Sequence, residues 1–191
     1  MATEEIRKVT DSRVLAALAH PLRRRLIDAL KLDGPATASM LAGRTGQAVA
    51  NVSHHLRVLG TCDLIEEAPE LARDRRERWW RPVSAGLRWS TRDFDEDPAA
   101  AAVAAAAESL NLDYHMNAVR TWYAASEEER KAWPEGPFAT DKWLRLTPGE
   151  LTELSAEIIA VLDRWATREL PQDGRRREPV YVFAHGVPAR P

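Results

Sequence analysis

The sequence predicts a mainly α-helical protein with small β elements, and three observations carry that reading. Apolar residues recur at helical spacing in several segments between residues 11 and 168. Helix-start signals, such as Ser126 with Glu129 or Thr147-Pro148-Gly149-Glu150, stand just before some of these segments. Two short strand-like runs, "DLIEE" (63–67) and "RWWRPVS" (78–84), flank the charged loop "APELARDRRE".

The first element, "DSRVLAALAH", places Val14, Leu15 and Leu18 on one side. Pro21 interrupts it and is suited to open the next helix, where its missing N–H costs nothing. "LRRRLIDALK" repeats Leu22, Leu26, Ile27 and Leu30, and Gly34-Pro35 ends it. Thr37 can cap "ASMLAGRTG", with Met40 and Leu41 inward, and Gly43 to Gly46 read as a tight turn. A helix over about 47–59 follows, stopped by Gly60. Its inward stripe is Val49, Val52, Leu56 and Leu59, at i, i+3, i+7 and i+10. The opposite face holds Gln47, Ala50, Asn51, His54 and Arg57, small or hydrogen-bonding residues in place of the Glu/Lys mixture of a merely solvated helix. The strand-like runs then form a hairpin with Arg73, Arg75 and Arg76 near its tip, the shape of a wing. Residues 11–90 thus read as one winged helix-turn-helix domain.

The acidic "DFDEDP" (93–98) marks a boundary before a helical C-terminal half, 97–191. Asp97 can cap a helix that Pro98 opens and alanine fills over 99–107. Leu110, Tyr114, Met116, Val119, Trp122 and Tyr123 continue it to about 125, and the Ser126–Glu129 capping box starts a further turn or two. "DKWLRLT" and "PVYVFAHG" predict a short two-stranded sheet. Between them lies a helix over 148–168 whose apolar face is Leu151, Leu154, Ile158, Val161, Leu162 and Trp165. No internal repeat is apparent.

Composition sets the setting. With 191 residues, 45% hydrophobic and 29% charged, the chain can bury a sizeable core. Its single cysteine, Cys62, excludes an internal disulfide framework and suits a reducing cytoplasm. "MATEEIRKVTDS" has no apolar signal core, and "AAAAVAAAA" (99–107) is too short to span a bilayer, so a cytoplasmic protein without membrane contact is expected. Residues 1–92 hold sixteen Lys/Arg against eleven Asp/Glu, a balance of +5; residues 93–191 hold eleven against eighteen, a balance of −7. A basic half joined to an acidic one fits a polyanion-binding module with a non-binding partner, and it also fits variation between two solvated surfaces.

Ala19-His20-Pro21-Leu22-Arg23 and Val52-Ser53-His54-His55-Leu56, followed by Leu59 and Leu64-Ile65, resemble the winged helix-turn-helix repressors of the ArsR-like (arsenic-repressor) family over about residues 11–90. The order of the C-terminal half, "LTPGEL", "LSAEI", "LDRWA" and a Val-rich strand, is more loosely similar to the tails of a subgroup. The resemblance implies a homodimeric transcriptional regulator that binds double-stranded DNA, a repressor, with one recognition helix per major groove. The residues expected to touch DNA are Gln47, Asn51, Ser53, His54 and Arg57, the wing arginines Arg73, Arg75 and Arg76, and Arg24 from the preceding helix. Asn can read adenine and Arg guanine or phosphate. His55 lies close to the apolar side and reads as a packing histidine.

Metal and catalysis find little support. Metal sensors of this family commonly carry Cys-x-Cys in the helix before the recognition helix, and "ASMLAGRTG" has no cysteine. Asp113-x-His115 resembles only half of another family site, so no metal and no cofactor is expected. No phosphate-cradling loop or nucleophile elbow is present, and no enzyme is expected. If the C-terminal half senses an effector, Tyr114, Trp122, Tyr123, Trp143 and Trp165 would line its pocket, for a small, apolar, uncharged ligand; aromatics at helical spacing equally read as core. The competing function is a winged helix that docks on protein instead of DNA, which would more often expose an apolar patch there.

Overall fold

The computed structural model describes residues 6–74, 76–84 and 86–190. The chain divides into two units, the first reaching Met116 and the second beginning at Asn117, inside one long helix.

In the first unit, β1 (Ile6–Lys8) leads into α1 (Ser12–Leu18) and α2 (Pro21–Asp33). Asp11 caps α1, and the His20 imidazole caps α2 by accepting the Leu22 N–H at 3.2 Å, with Pro21 in the first turn. β2 (Ala36–Thr37) and α3 (Ala38–Thr45) follow, then α4 (Val49–Thr61), β3 (Ile65–Glu67), β4 (Trp79–Pro82) and β5 (Gly86–Arg88). α5 (Pro98–Tyr123) is capped by Asp97, which accepts the N–H groups of Ala99 and Ala100. β4 is the centre of an antiparallel three-stranded sheet, order β2-β4-β3, with Ala36 opposite Trp80 and Ile65 opposite Pro82. A second pair, unforeseen from the sequence, runs parallel between β1 and β5.

The core is made by the stripes that periodicity points inward. Leu15, Leu26, Leu30, Leu41, Val52, Leu56 and Leu59 are fully buried, and Ile65 and Trp80 close the sheet side. Ala104 and Ala107 bring the first half of α5 onto the same core. Four local expectations are corrected. Gly43 lies inside α3, and the turn is made by Gly46 alone, at φ 67. α4 continues through Gly60 to Thr61. Gly60 is needed for closeness and not as a stop: a Cβ there would stand 3.2 Å from the Trp80 ring, so the bare backbone lets β4 lie against the end of α4. Met40 is exposed, because only Leu41 of that pair faces α4 and α2. Val49 is exposed too, because it opens α4 beyond the reach of the helices that cover Val52.

The second unit holds the end of α5, then α6 (Glu127–Lys131) and α7 (Pro148–Thr167). Ser126 with Glu129 and Thr147 with Glu150 form the two capping boxes that the sequence spells. The expected two-stranded sheet is not formed: 142–146 and 179–184 are without strand structure. Apolar side chains there find no ladder of backbone hydrogen bonds, and Trp143 and Val180 stand in solvent. The chain near Gly186 does approach Leu151, where a Cβ would meet its methyl at 3.2 Å. Among the described residues of this unit none is buried.

Candidate nucleic-acid interface

α3, the turn at Gly46 and α4 form a helix-turn-helix, and β3 with β4 forms its wing. The turn is closed by the Gln47 N–H donating to the Ala42 carbonyl at 3.1 Å. Arg25 of α2 donates to the Thr45 carbonyl at 3.2 Å, and Arg44 pairs with Asp33 at 3.4 Å, so two cations brace the supporting helices.

Burial of Val52, Leu56 and Leu59 fixes the rotation of α4 and turns Asn51, His54 and Arg57 outward, while Gln47, expected inside the helix, lies exposed in the turn before it. Asn51 Nδ2 donates at 3.1 Å to Oε1 of Gln47, four residues earlier in the turn. Arg57 Nε donates to the Ser53 carbonyl at 3.3 Å, which lays its guanidinium along the helix while leaving it exposed; Ser53 itself is half-buried. His54 and His55 point differently, as the sequence suggests. His55 is buried, its ring 4.4 Å from His20 and 5.3 Å, edge-on, from His54. Its Nδ1 has no hydrogen-bond partner among the described residues. Burial first, then the neighbouring His20, His54 and Arg23, hold the His55 pKa below its ordinary value, so the ring stays neutral.

The wing is less basic than its tip suggests. Residues 63–82 contain five arginines and six carboxylates. Arg78 pairs with Glu67 at 3.1 Å, and Arg81 with Glu66 at 2.7 Å and with Glu70. Asp74 accepts the N–H groups of Arg76 and Glu77, and Glu77 accepts that of Arg73, which shapes the tip. Among the described residues no ion pair engages the guanidinium of Arg73 or Arg76; Arg75 lies outside the described residues. At the other end of the wing, Arg7 donates to the Cys62 and Asp63 carbonyls, tying β1 to the end of α4. Cys62 is half-buried.

A family model described as a helix-turn-helix domain matches residues 18–67. The chain carries a helix-turn-helix domain. That span runs from the end of α1 through β3 and contains the whole polar face of α4. Two solved structures are similar to the chain. One is a fragment, residues 1–100, of a possible transcriptional regulatory protein from Mycobacterium bovis, 26% identical, covering 39% of this chain and 74% of that one, at a TM-score of 0.34. The other is a transcriptional regulator from Thermotoga maritima, 15% identical, covering 84% of this chain and 90% of that one, at a TM-score of 0.32. No curated protein matches.

The remaining residues singled out in the sequence lie elsewhere. The Arg24 guanidinium sits 4.5 Å over the Tyr114 ring, and the Tyr114 hydroxyl hydrogen bonds to Asp28, so both belong to the contact between α2 and α5. Trp122, Tyr123, Trp143 and Trp165 belong to the second unit; Arg168 stacks 4.1 Å over Trp165. Among the described residues no group of three or more His, Cys, Asp or Glu is arranged to hold a metal ion, and no helix is long and apolar enough to cross a membrane.

Proposed function

We propose that this protein is a sequence-specific DNA-binding transcriptional regulator, a cytoplasmic ArsR-like repressor that acts as a homodimer and catalyses no reaction. The observation that carries the reading is the polar face of the second helix of a helix-turn-helix: Asn51, His54 and Arg57 are exposed together on α4, with Gln47 exposed in the turn before it and Arg73 and Arg76 exposed on the wing. Such a helix enters a major groove with its first turns on base edges, while cations beside it meet phosphate. The repressor and ArsR-like assignments rest on "AHPLR" and "VSHHL".

Dimerisation is supported by apolar surface left in solvent: Leu110, Leu112 and Met116 on α5, and Ile158, Val161 and Trp165 on α7. Two copies would read a pseudo-palindromic operator with half-sites about one helical turn apart. Within the second unit, the exposed Tyr123, Trp143 and Trp165, with Trp122, would meet a small apolar effector; tryptophan fluorescence during titration with such compounds, followed together with operator affinity, tests that part.

The deciding experiment is enrichment of genomic DNA by the purified full-length protein, followed by affinity measurements on the recovered site. Asn51→Ala and Arg57→Ala should each cost about 1–3 kcal/mol on the operator and much less on random DNA. Arg76→Ala should weaken both alike and lower the salt slope. A protein that enriches no sequence, or that sediments as a monomer at micromolar concentration, would contradict the reading or its dimer part respectively.

A further inference from the structure

α4 starts unlike any other α-helix among the described residues. Asp11, His20, Thr37, Asp97, Ser126 and Thr147 each accept a first-turn N–H of α1, α2, α3, α5, α6 and α7. α4 begins after Ala48, whose methyl side chain cannot cap a first-turn N–H, and its first turn holds no acidic residue. Replacing a Ser or Asp cap by Ala weakens a helix, so the sequence tolerates a local loss here. The same stretch is apolar where solvent would favour polar residues: Ala48, Val49 and Ala50 are all exposed, and Val49 keeps 46% of its surface in solvent. A local rule broken in one place, in a chain that obeys it six times, marks a surface shaped for something other than stability.

The chemistry of that surface is specific. Side chains in the first turn tilt toward the helix N-terminus, so Val49 and Ala50 form a small apolar edge at the tip. An acid-free, uncapped tip meets no repulsion among phosphates and carries no long side chain to hold it away from base edges. Beside it, Asn51 gives one N–H to Gln47, which fixes the amide and leaves its second N–H and its Oδ1 available. One donor and one acceptor in a plane match adenine N7 and N6, and in the major groove the group that an apolar side chain can recognise is the thymine 5-methyl.

We propose that Val49 and Ala50 read thymine methyl groups and that Gln47 positions the Asn51 amide on a neighbouring adenine, so that the half-site entered by α4 is built of A·T pairs. This rests on the DNA-binding reading above and adds the base class to it. Gln47 is a positioning residue, and Val49 and Ala50 determine specificity.

The test selects the preferred site of the full-length protein from a randomised duplex library. Each thymine of that site is then replaced in turn by deoxyuridine, which removes only the methyl, and affinity is read by fluorescence anisotropy. At one or two positions the loss should be about fourfold, the size expected for one buried methyl-sized group. The penalty should vanish in Val49→Ser or in Ala50→Ser, whose polar hydroxyl replaces the apolar contact and whose retained helicity circular dichroism can verify. Gln47→Ala should broaden the base preference at the adenine position while leaving the deoxyuridine penalty in place, which a merely structural residue would not do. A G·C half-site under α4, no deoxyuridine penalty at any position, or a penalty that survives both substitutions overturns the proposal and leaves DNA binding standing. Failure to enrich any sequence overturns both.

Discussion

α4 and α7 carry the same kind of message in sequence and meet different fates. Both repeat apolar residues on one side, and both fold as the helices that the spacing predicts. α4 buries Val52, Leu56 and Leu59 completely, under α2, α3 and the sheet. α7 buries nothing among the described residues, and Ile158, Val161 and Trp165 face solvent. Periodicity therefore announces a helix and the side it would bury, while burial itself depends on which other elements the chain brings to that side. The first unit assembles α2, α3 and the sheet around α4.

The largest test of this contrast is a pair of truncations. Leu56→Ala should cost about 2–5 kcal/mol in chemical denaturation, because a fully buried leucine leaves a cavity among packed neighbours. Ile158→Ala on the exposed face of α7 should cost less than about 0.5 kcal/mol in the dilute protein. Equal losses at low concentration would erase the contrast. A loss for Ile158→Ala that grows with protein concentration would sharpen it, by showing that a second copy covers α7.

Helix caps give a smaller comparison. Asp97→Ala and Thr147→Ala each remove one cap, worth about 1 kcal/mol. Loss of Asp97 should lower the unfolding midpoint of the first unit, since α5 seats Ala104 and Ala107 in its core. Loss of Thr147 should reduce far-ultraviolet helicity and leave that midpoint in place. Coincident shifts in both variants would mean that the two units unfold as one.

The smallest effect is a pH dependence confined to the first unit. His55 has a folded pKa below its ordinary 6.5, chiefly through burial and then through His20, His54 and Arg23. The unfolded chain then binds a proton that the folded chain refuses. The contribution of His55 is present in full above pH 6.5 and declines as pH falls below it toward the folded pKa. Denaturation midpoints between pH 7.5 and 5 should show this decline, and His55→Gln should reduce it. An unchanged slope in that variant would assign the dependence to other groups.

Much of the candidate site is legible without coordinates. The outward Asn51, His54 and Arg57 follow from the apolar stripe on the other side, and the separation of His54 from His55 follows from one residue of helical rotation. The exposure of Val49 is not legible, because it belongs to the stripe by spacing and escapes it only by standing at the end of the helix. The pairing of wing arginines with Glu66, Glu67 and Glu70 is not legible either, since it needs the register of β3 against β4, with Glu66 opposite Arg81.

What the sequence determines alone is local: helix caps, proline starts, the left-handed Gly46 and the face of each amphipathic segment, all set within a few residues by backbone sterics and hydrogen-bonding groups. What the tertiary structure decides is whatever needs residues far apart in the chain. β1 finds β5 across some eighty positions, Gly60 is required because Trp80 arrives against it, and Arg24 is drawn over Tyr114 by the packing of α5 on α2. The strand-like runs at 142–146 and 179–184 show the same division from the other side. A strand needs a neighbour to complete its hydrogen bonds, and no run of apolar residues can supply one by itself.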